Sequence, residues 1–389
     1  MPDWIFYIPR VILDKENFYT VQLNDGLKAG LNPAIVRKAG EIQDNVVEEL
    51  SDYLRRNDIE YATFNGSGEI HPDVENVKNS VNFCDKVNSK YGDKIIKKMT
   101  FKVGSLRTQA QEREERDKKN ISRWGGDLVN FTAKDFLEGG ENIGETVKEA
   151  VDYAEKFGIK LLPRIRHIEN YATTEYLPEL NEPVNDKRWE GSGWLSNIVN
   201  PGHIGTALDI PEIAPKGFCV EIGRLWMTEG LSKRRNFGNV GEPKNIDEYQ
   251  QEALDKFGIY IAPGMPFIFK EPISAIDKIK EWGDKIQMAY VTGPVGEGTH
   301  FMDGNSYKKA SLMPLLSPTD EDPLKIIESE EVRRELRTDS MKKLKGTKSA
   351  LESAGCNEAV ISNHLGKGIF SGDIWIYYQK TSKTNFKSL

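Results

Sequence analysis

Two stretches place charged side chains where an apolar run gives out. IKLLPRIRH turns basic over Arg164, Arg166 and His167, and NPGHIGTALDIPEI ends on Asp209 and Glu212. Carboxylates three residues apart at a strand exit offer hard oxygen ligands for a divalent cation, Mg²⁺ or Mn²⁺. The arginines one strand back supply a competing reading, because partly buried carboxylates need a partner and ion pairs satisfy both sides. The same set also suits a sugar acid, with Arg164 or Arg166 gripping its carboxylate in a bidentate fork. Glu212 or His167 would then serve as general acid or base. A single histidine at a strand exit is more often a satisfied structural residue.

Glycine-rich exits form a second set. GPVGEGTHF (Gly293 to Phe301) carries Gly296 and Gly298, and GKG (Gly366 to Gly368) carries Lys367. Loops after the last two strands of an α/β barrel often hold an anion on backbone N–H groups, with a lysine adding charge. Turn glycines explain both loops equally well. GPVGEG is neither a P-loop nor a dinucleotide fingerprint, since it lacks the Gly-Lys-Ser/Thr ending and the helix at the right spacing. His300 and Asp303 form an isolated His-x-x-Asp. The chain has no Ser-His-Asp elbow, HExxH motif or cysteine cluster.

The elements that must position these residues follow from periodicity. GETVKEAVDYAEKFG repeats Val147, Ala150, Val151, Ala154 and Phe157 at helical steps and stops at Gly158. WIFYIPRVIL reads as the first strand. Asn32-Pro33 reads as a capping residue with proline at the first helical position, opening a helix that runs through Ile35, Ala39, Ile42, Val46, Leu50 and Leu54 to Arg56. IEYATF is the next strand, and Val74, Val77, Val81, Cys84 and Val87 mark a helix ending near Gly92. KMTFKVGS alternates Met99, Phe101 and Val103 with polar residues. This is the β-α-β-α-β rhythm of a parallel sheet. The polar stretch Thr108 to Asn120 is a solvated helix or a substrate lid, and DLVNF a short strand. The Trp189- and Trp194-containing loop from Asn181 to His203 offers stacking surfaces, a plug or a subunit contact.

FCVEIGRLWM and GIYIAPGMPFIF are further apolar runs. Ile273, Ile276, Ile279 and Trp282 line a helix, and Ile286, Met288 and Tyr290 alternate along the strand after it. Charged helices follow from about Asp322 to Arg337 and on to Ala354. EAVISNHLGKG then reads as the last barrel strand. DIWIYYQK is a β-prone tail strand that offers pairing to this or another subunit, a route to a homo-oligomer. The fold expected is a (β/α)8 TIM barrel in residues 1–318, with C-terminal helices, last strand and tail in residues 319–389 of the same domain.

The 389 residues suit one elaborated barrel. Sixty acidic against 53 basic residues leave a net charge of −7 without one-signed blocks, which argues against a nucleic-acid partner. Three scattered cysteines point to free thiols in a reducing compartment. The N-terminal apolar run is too short for a leader or a membrane span. The expected location is therefore the cytoplasm.

Three segments resemble the xylose-isomerase-like barrel superfamily of sugar isomerases and epimerases, the endonuclease IV group and mannonate dehydratases. AVDYAEKFGIKLLPRIRHIEN is similar to the family helix and its "LxLEN" strand, and IGTALDIPEI to the strand ending in Asp-x-x-His. IKEWGDKIQMAYVTGPVGEG is similar to the strand reading "hvHlkD" before a "GxG" loop. The resemblance implies divalent metals at strand C-termini and proton abstraction next to the carbonyl of a small polyhydroxylated substrate. Here Arg164 stands at the first glutamate position, Glu212 at the histidine and Ala289 at the strand histidine. The final glutamate has no clear equivalent, and Asp209 alone keeps an expected ligand. The metal site is thus either rebuilt from other residues or lost. The expected function is a sugar or sugar-acid isomerase, epimerase or dehydratase. The alternative is a barrel without metal chemistry that binds or assembles.

Overall fold

The computed structural model describes residues 3–13, 18–20, 27, 30–37, 43–71, 73–104, 133–164, 210–234, 236–262, 265–291 and 330–361. Within them, strands β1 (Ile5–Leu13), β3 (Asn32–Arg37), β4 (Ala62–Glu69), β5 (Ile96–Lys102), β6 (Lys160–Arg164), β7 (Phe218–Glu221), β10 (Ile286–Val291) and β11 (Glu358–Ile361) run parallel in that spatial order. β11 pairs with both β10 and β1, Ile5 lying opposite Glu358, so the sheet closes on itself. β2 (Phe18–Thr20) adds antiparallel to the end of β1. Helices α1 (Asp44–Arg56), α2 (Val74–Tyr91), α3 (Ala133–Glu155), α5 (Ile222–Arg234), α8 (Ala275–Trp282) and α9 (Glu330–Ser353) lie between strands. The turn α4 (Ile210–Ile213) precedes β7. α6 (Phe237–Val240), α7 (Glu248–Phe257) and the hairpin β8 (Ile259–Ala262) and β9 (Met265–Phe269) are inserted between α5 and α8. This is the expected (β/α)8 barrel.

Closure divides the core in two. Met99, Phe101 and Val103 join the large cluster between sheet and helices. The residues alternating with them turn inward, so Lys98 and Thr100 face the barrel axis, as their partners on other strands show. A separate inner cluster holds Tyr7, Ala34, Leu162, Cys219, Met288, Tyr290 and Val360. β10 crosses from one cluster to the other. Ile286 packs outward, whereas Met288 and Tyr290 pack inward, because a register shift between Ile286 and Met288 inserts an extra residue and reverses the alternation.

Three expectations are corrected. Asn32-Pro33 does not open a helix: residues 32–37 pair with β1 on one side and β4 on the other, and the helix begins at Asp44. Ladder pairing of the β-branched Ile35 and Val36 outweighs the local capping signal. IGTALDIPEI does not end as a strand. Its described part is the turn α4, and the strand is FCVE after Gly217, whose φ of 124° needs a residue without a side chain. The two charged C-terminal helices are, in the described part, one continuous helix, Glu330–Ser353. Residues 108–120, DLVNF, the loop 181–203, the boundary at 318 and the DIWIYYQK tail lie outside the described residues.

Candidate active site at the strand exits

β6 is a buried strand whose last residue is charged. Lys160 and Leu162 face inward, and by the same alternation so does Arg164, only 6% exposed. The Arg164 backbone carbonyl accepts the Val103 N–H at 2.7 Å, which ties the exit of β6 to that of β5. In register, Arg164 lies opposite Cys219 of β7, and two residues further along β7 ends on Glu221, 1% exposed. On β10, the next strand round, the buried Tyr290 lays its ring 4.2 Å from the Arg164 guanidinium carbon, a cation–π contact inside the barrel. Below these, Thr100 donates to Asn65 Oδ1 at 2.5 Å, joining β5 to β4, and the buried Glu69 ends β4.

Burial pushes the Tyr290 phenol up to about 12, against the pull of the Arg164 charge, so it stays protonated at neutral pH. Burial also pushes the Cys219 thiol well above its ordinary range, more than the Arg164 charge lowers it. That removes it as a nucleophile. An arginine, a glutamate and a neutral phenol thus lie at the C-terminal ends of three consecutive barrel strands, where barrel active sites lie.

Arg164 is where the sequence placed it. Glu212 is not. It is exposed on the short turn α4, which precedes β7, and it lines a groove with Lys256, Lys270 and Lys285 beside the strand entrances. The whole of β7 separates it from the exit that Arg164 occupies, so Glu212 neither pairs with Arg164 nor shares a metal with a residue there. Because the strand that pairs with β6 is FCVE, Glu221 is the acidic residue at that exit. The signal was legible as a single acidic residue closing the apolar run FCV. Asp209, Arg166, His167, Gly296, Gly298 and Lys367 lie outside the described residues.

A divalent metal does not fit the residues described. Among them no three His, Cys, Asp or Glu side chains converge. The guanidinium of Arg164 stands in the interior, and its charge repels a cation. Among the described residues no helix is long and apolar enough to cross a membrane.

No protein-family model matches the chain, and no curated protein does. Solved structures similar to it include an L-ribulose 3-epimerase, with 8% identity and a TM-score of 0.45 over 100% of this chain and 95% of that one. D-psicose 3-epimerase from Clostridium cellulolyticum H10 aligns with 12% identity and a TM-score of 0.42, over 99% of this chain and 97% of its own. A xylose isomerase-like TIM barrel protein from Mycobacterium smegmatis aligns with 12% identity and a TM-score of 0.40, over 94% and 87%. The (β/α)8 barrel itself is shown by this chain's own strand order and closure.

Proposed function

We propose that this barrel is an enzyme acting on a small sugar or sugar acid by moving a proton next to a carbonyl. The supporting observation is the burial of Arg164 and Glu221 at neighbouring strand exits, with Tyr290 stacked on the guanidinium. Glu221 takes the proton from the carbon beside the carbonyl, and Arg164 stabilises the negative charge that develops on the carbonyl oxygen or grips a substrate carboxylate. Delivery of a proton to the opposite face of the same carbon epimerises the sugar, and delivery to its neighbour isomerises it. Loss of a hydroxyl from the next carbon dehydrates it. Arg166, His167, Gly296, Gly298 and Lys367 are proposed to line the same mouth.

The test is exchange of the substrate C–H in deuterium oxide, followed by proton NMR over a panel of ketohexoses, aldoses, uronates and aldonates. Wild type is expected to incorporate deuterium into at least one class. Glu221→Gln is expected to lose about a hundredfold or more, the usual contribution of a positioned base. Exchange that survives in Glu221→Gln would remove this residue from the role of base.

A second reading, a barrel that binds or assembles without catalysis, is favoured by one observation: the buried Arg164 guanidinium repels the metal ion that the sequence resemblance implies. Saturable sugar binding with no exchange in any class would support it over the enzyme.

A further inference from the structure

The opposite pole of the barrel holds a cluster that the proposed reaction does not use. Lys98 and Lys160 are register partners on β5 and β6, so both side chains leave the sheet on the same face. Lys98 reaches across the barrel to Glu358 Oε1 at 2.5 Å, which makes that face the interior. The other oxygen of Glu358 accepts the Tyr7 hydroxyl at 3.1 Å. Glu358 is therefore committed to Lys98 and Tyr7.

Lys160 has a different partner. Its ammonium donates to the neutral Gln287 Oε1 at 2.8 Å, and among the described residues no carboxylate lies within ion-pair distance. The inner apolar cluster, including Leu162, Met288 and Tyr7, lies next along the axis. Among the described residues, the charged groups that act on Lys160 are Lys98 on β5 and Glu155 at the end of α3; Lys98 is in turn bonded to Glu358 on β11, which accepts from Tyr7 on β1. Burial holds its pKa below the ordinary lysine value and the Lys98 charge adds to this, while Glu155 opposes both. Half-buried rather than sealed, Lys160 remains within reach of a small solute.

We propose that Lys160 is a reactive amine and that the N-terminal pole of the barrel is a covalent site for a small α-oxo acid. A lysine set among apolar groups beside a second cation is the arrangement that yields a neutral, nucleophilic amine near neutral pH. The Lys160 nitrogen lone pair forms the C–N bond with the aldehyde or ketone carbon. The two amine protons leave with the carbonyl oxygen as water, giving an imine without any change of oxidation state. The neighbouring Lys98 ammonium favours an acid whose carboxylate sits beside the reacting carbonyl.

The experiment treats the full-length protein with glyoxylate and cyanoborohydride, which delivers hydride to the imine carbon, and reads modified lysines by peptide mass spectrometry. At pH 7, Lys160 is expected to be modified about threefold or more faster than the exposed Lys94 and Lys97, because an amine partly withdrawn from water beside a second cation is less protonated. Equal rates at the three lysines would overturn the proposal. Gln287→Glu places a carboxylate against the ammonium and is expected to suppress labelling with an unchanged circular dichroism spectrum. Undiminished labelling in that folded variant would also overturn it. Acetaldehyde is expected to label Lys160 more slowly than glyoxylate relative to Lys97, and equal selectivity would overturn the oxo-acid assignment.

Discussion

Arg164 is held by contacts on two sides. Its carbonyl is bonded to Val103, and its guanidinium rests on the ring of Tyr290. Both groups are desolvated, where a cation–π contact is worth about 2 kcal/mol. Tyr290→Leu is therefore expected to lower unfolding free energy by about 2 kcal/mol in urea titration, while Tyr290→Phe, which keeps the ring, stays closer to wild type. His71, just after β4, makes a separate prediction. The Thr146 hydroxyl spends its one proton on the Asn142 carbonyl at 2.9 Å, so His71 Nδ1 at 3.0 Å must donate to it and Nε2 keeps the lone pair. Burial lowers the His71 pKa from its ordinary 6.5. As pH falls, the unfolded chain takes up this proton first. Its contribution to stability is thus complete above 6.5 and is lost as pH falls from there through the folded value. Melting temperature should drop from about pH 7.5 to about pH 5.5 less steeply in His71→Asn than in wild type.

At the scale of elements, helices α2, α3 and α8 announce themselves, whereas α5 and α7 do not. α2 carries its whole signal locally. Asp73 accepts the Asn76 N–H at 3.1 Å as N-cap, and Gly92 closes the helix with φ 92° and a 3.0 Å bond to the Asn88 carbonyl. The buried Asn88 side chain then bonds both N–H and C=O of Ile96, tying the helix to the start of β5. Asp73→Ala is expected to cost about 1 kcal/mol in thermal or chemical unfolding. Gly104, at the exit of β5, has φ 122°, and a Cβ there would lie 2.5 Å from the His71 carbonyl oxygen. Gly104→Ala should therefore cost about 1–3 kcal/mol by the same measurement, with little scope for relaxation because the obstacle is backbone. The segment before β7 was misread for a related reason. An apolar stretch of six or seven residues does not reveal by period alone whether it is strand or turn, so IGTALDIPEI and FCVE compete on equal terms until the neighbouring strands choose. The candidate acid moved from Glu212 to Glu221 with that choice.

At the scale of the molecule, closure is the organising fact. β11 is four residues long, yet it covers the edges of both β1 and β10, and the Lys98–Glu358 pair spans the interior beneath it. Trp4 Nε1 donates to Glu352 Oε1 at 3.0 Å, binding the start of β1 to the end of α9. A chain ended before Asn357 would leave two strand edges open, and it is expected to appear in size-exclusion chromatography as aggregate rather than monomer. A sharp monomer peak with native circular dichroism would show that closure is dispensable.

The sequence by itself determined helices α2, α3 and α8, that strands and helices alternate, and that Arg164 ends a buried strand. Those facts rest on local periods, caps and glycines, which act within a few residues. Tertiary structure decided which strand follows β6 in the sheet, that Asn32–Arg37 joins the barrel, and that Lys98 and Thr100 face inward. It also brought Glu221 and Tyr290 to Arg164. Each of these depends on pairing between residues distant in the chain and on the closing of the sheet, which turns one face of every strand toward a common axis. Ladder hydrogen bonds and the inner and outer apolar clusters form only when all eight strands are in place, and no window of sequence contains them.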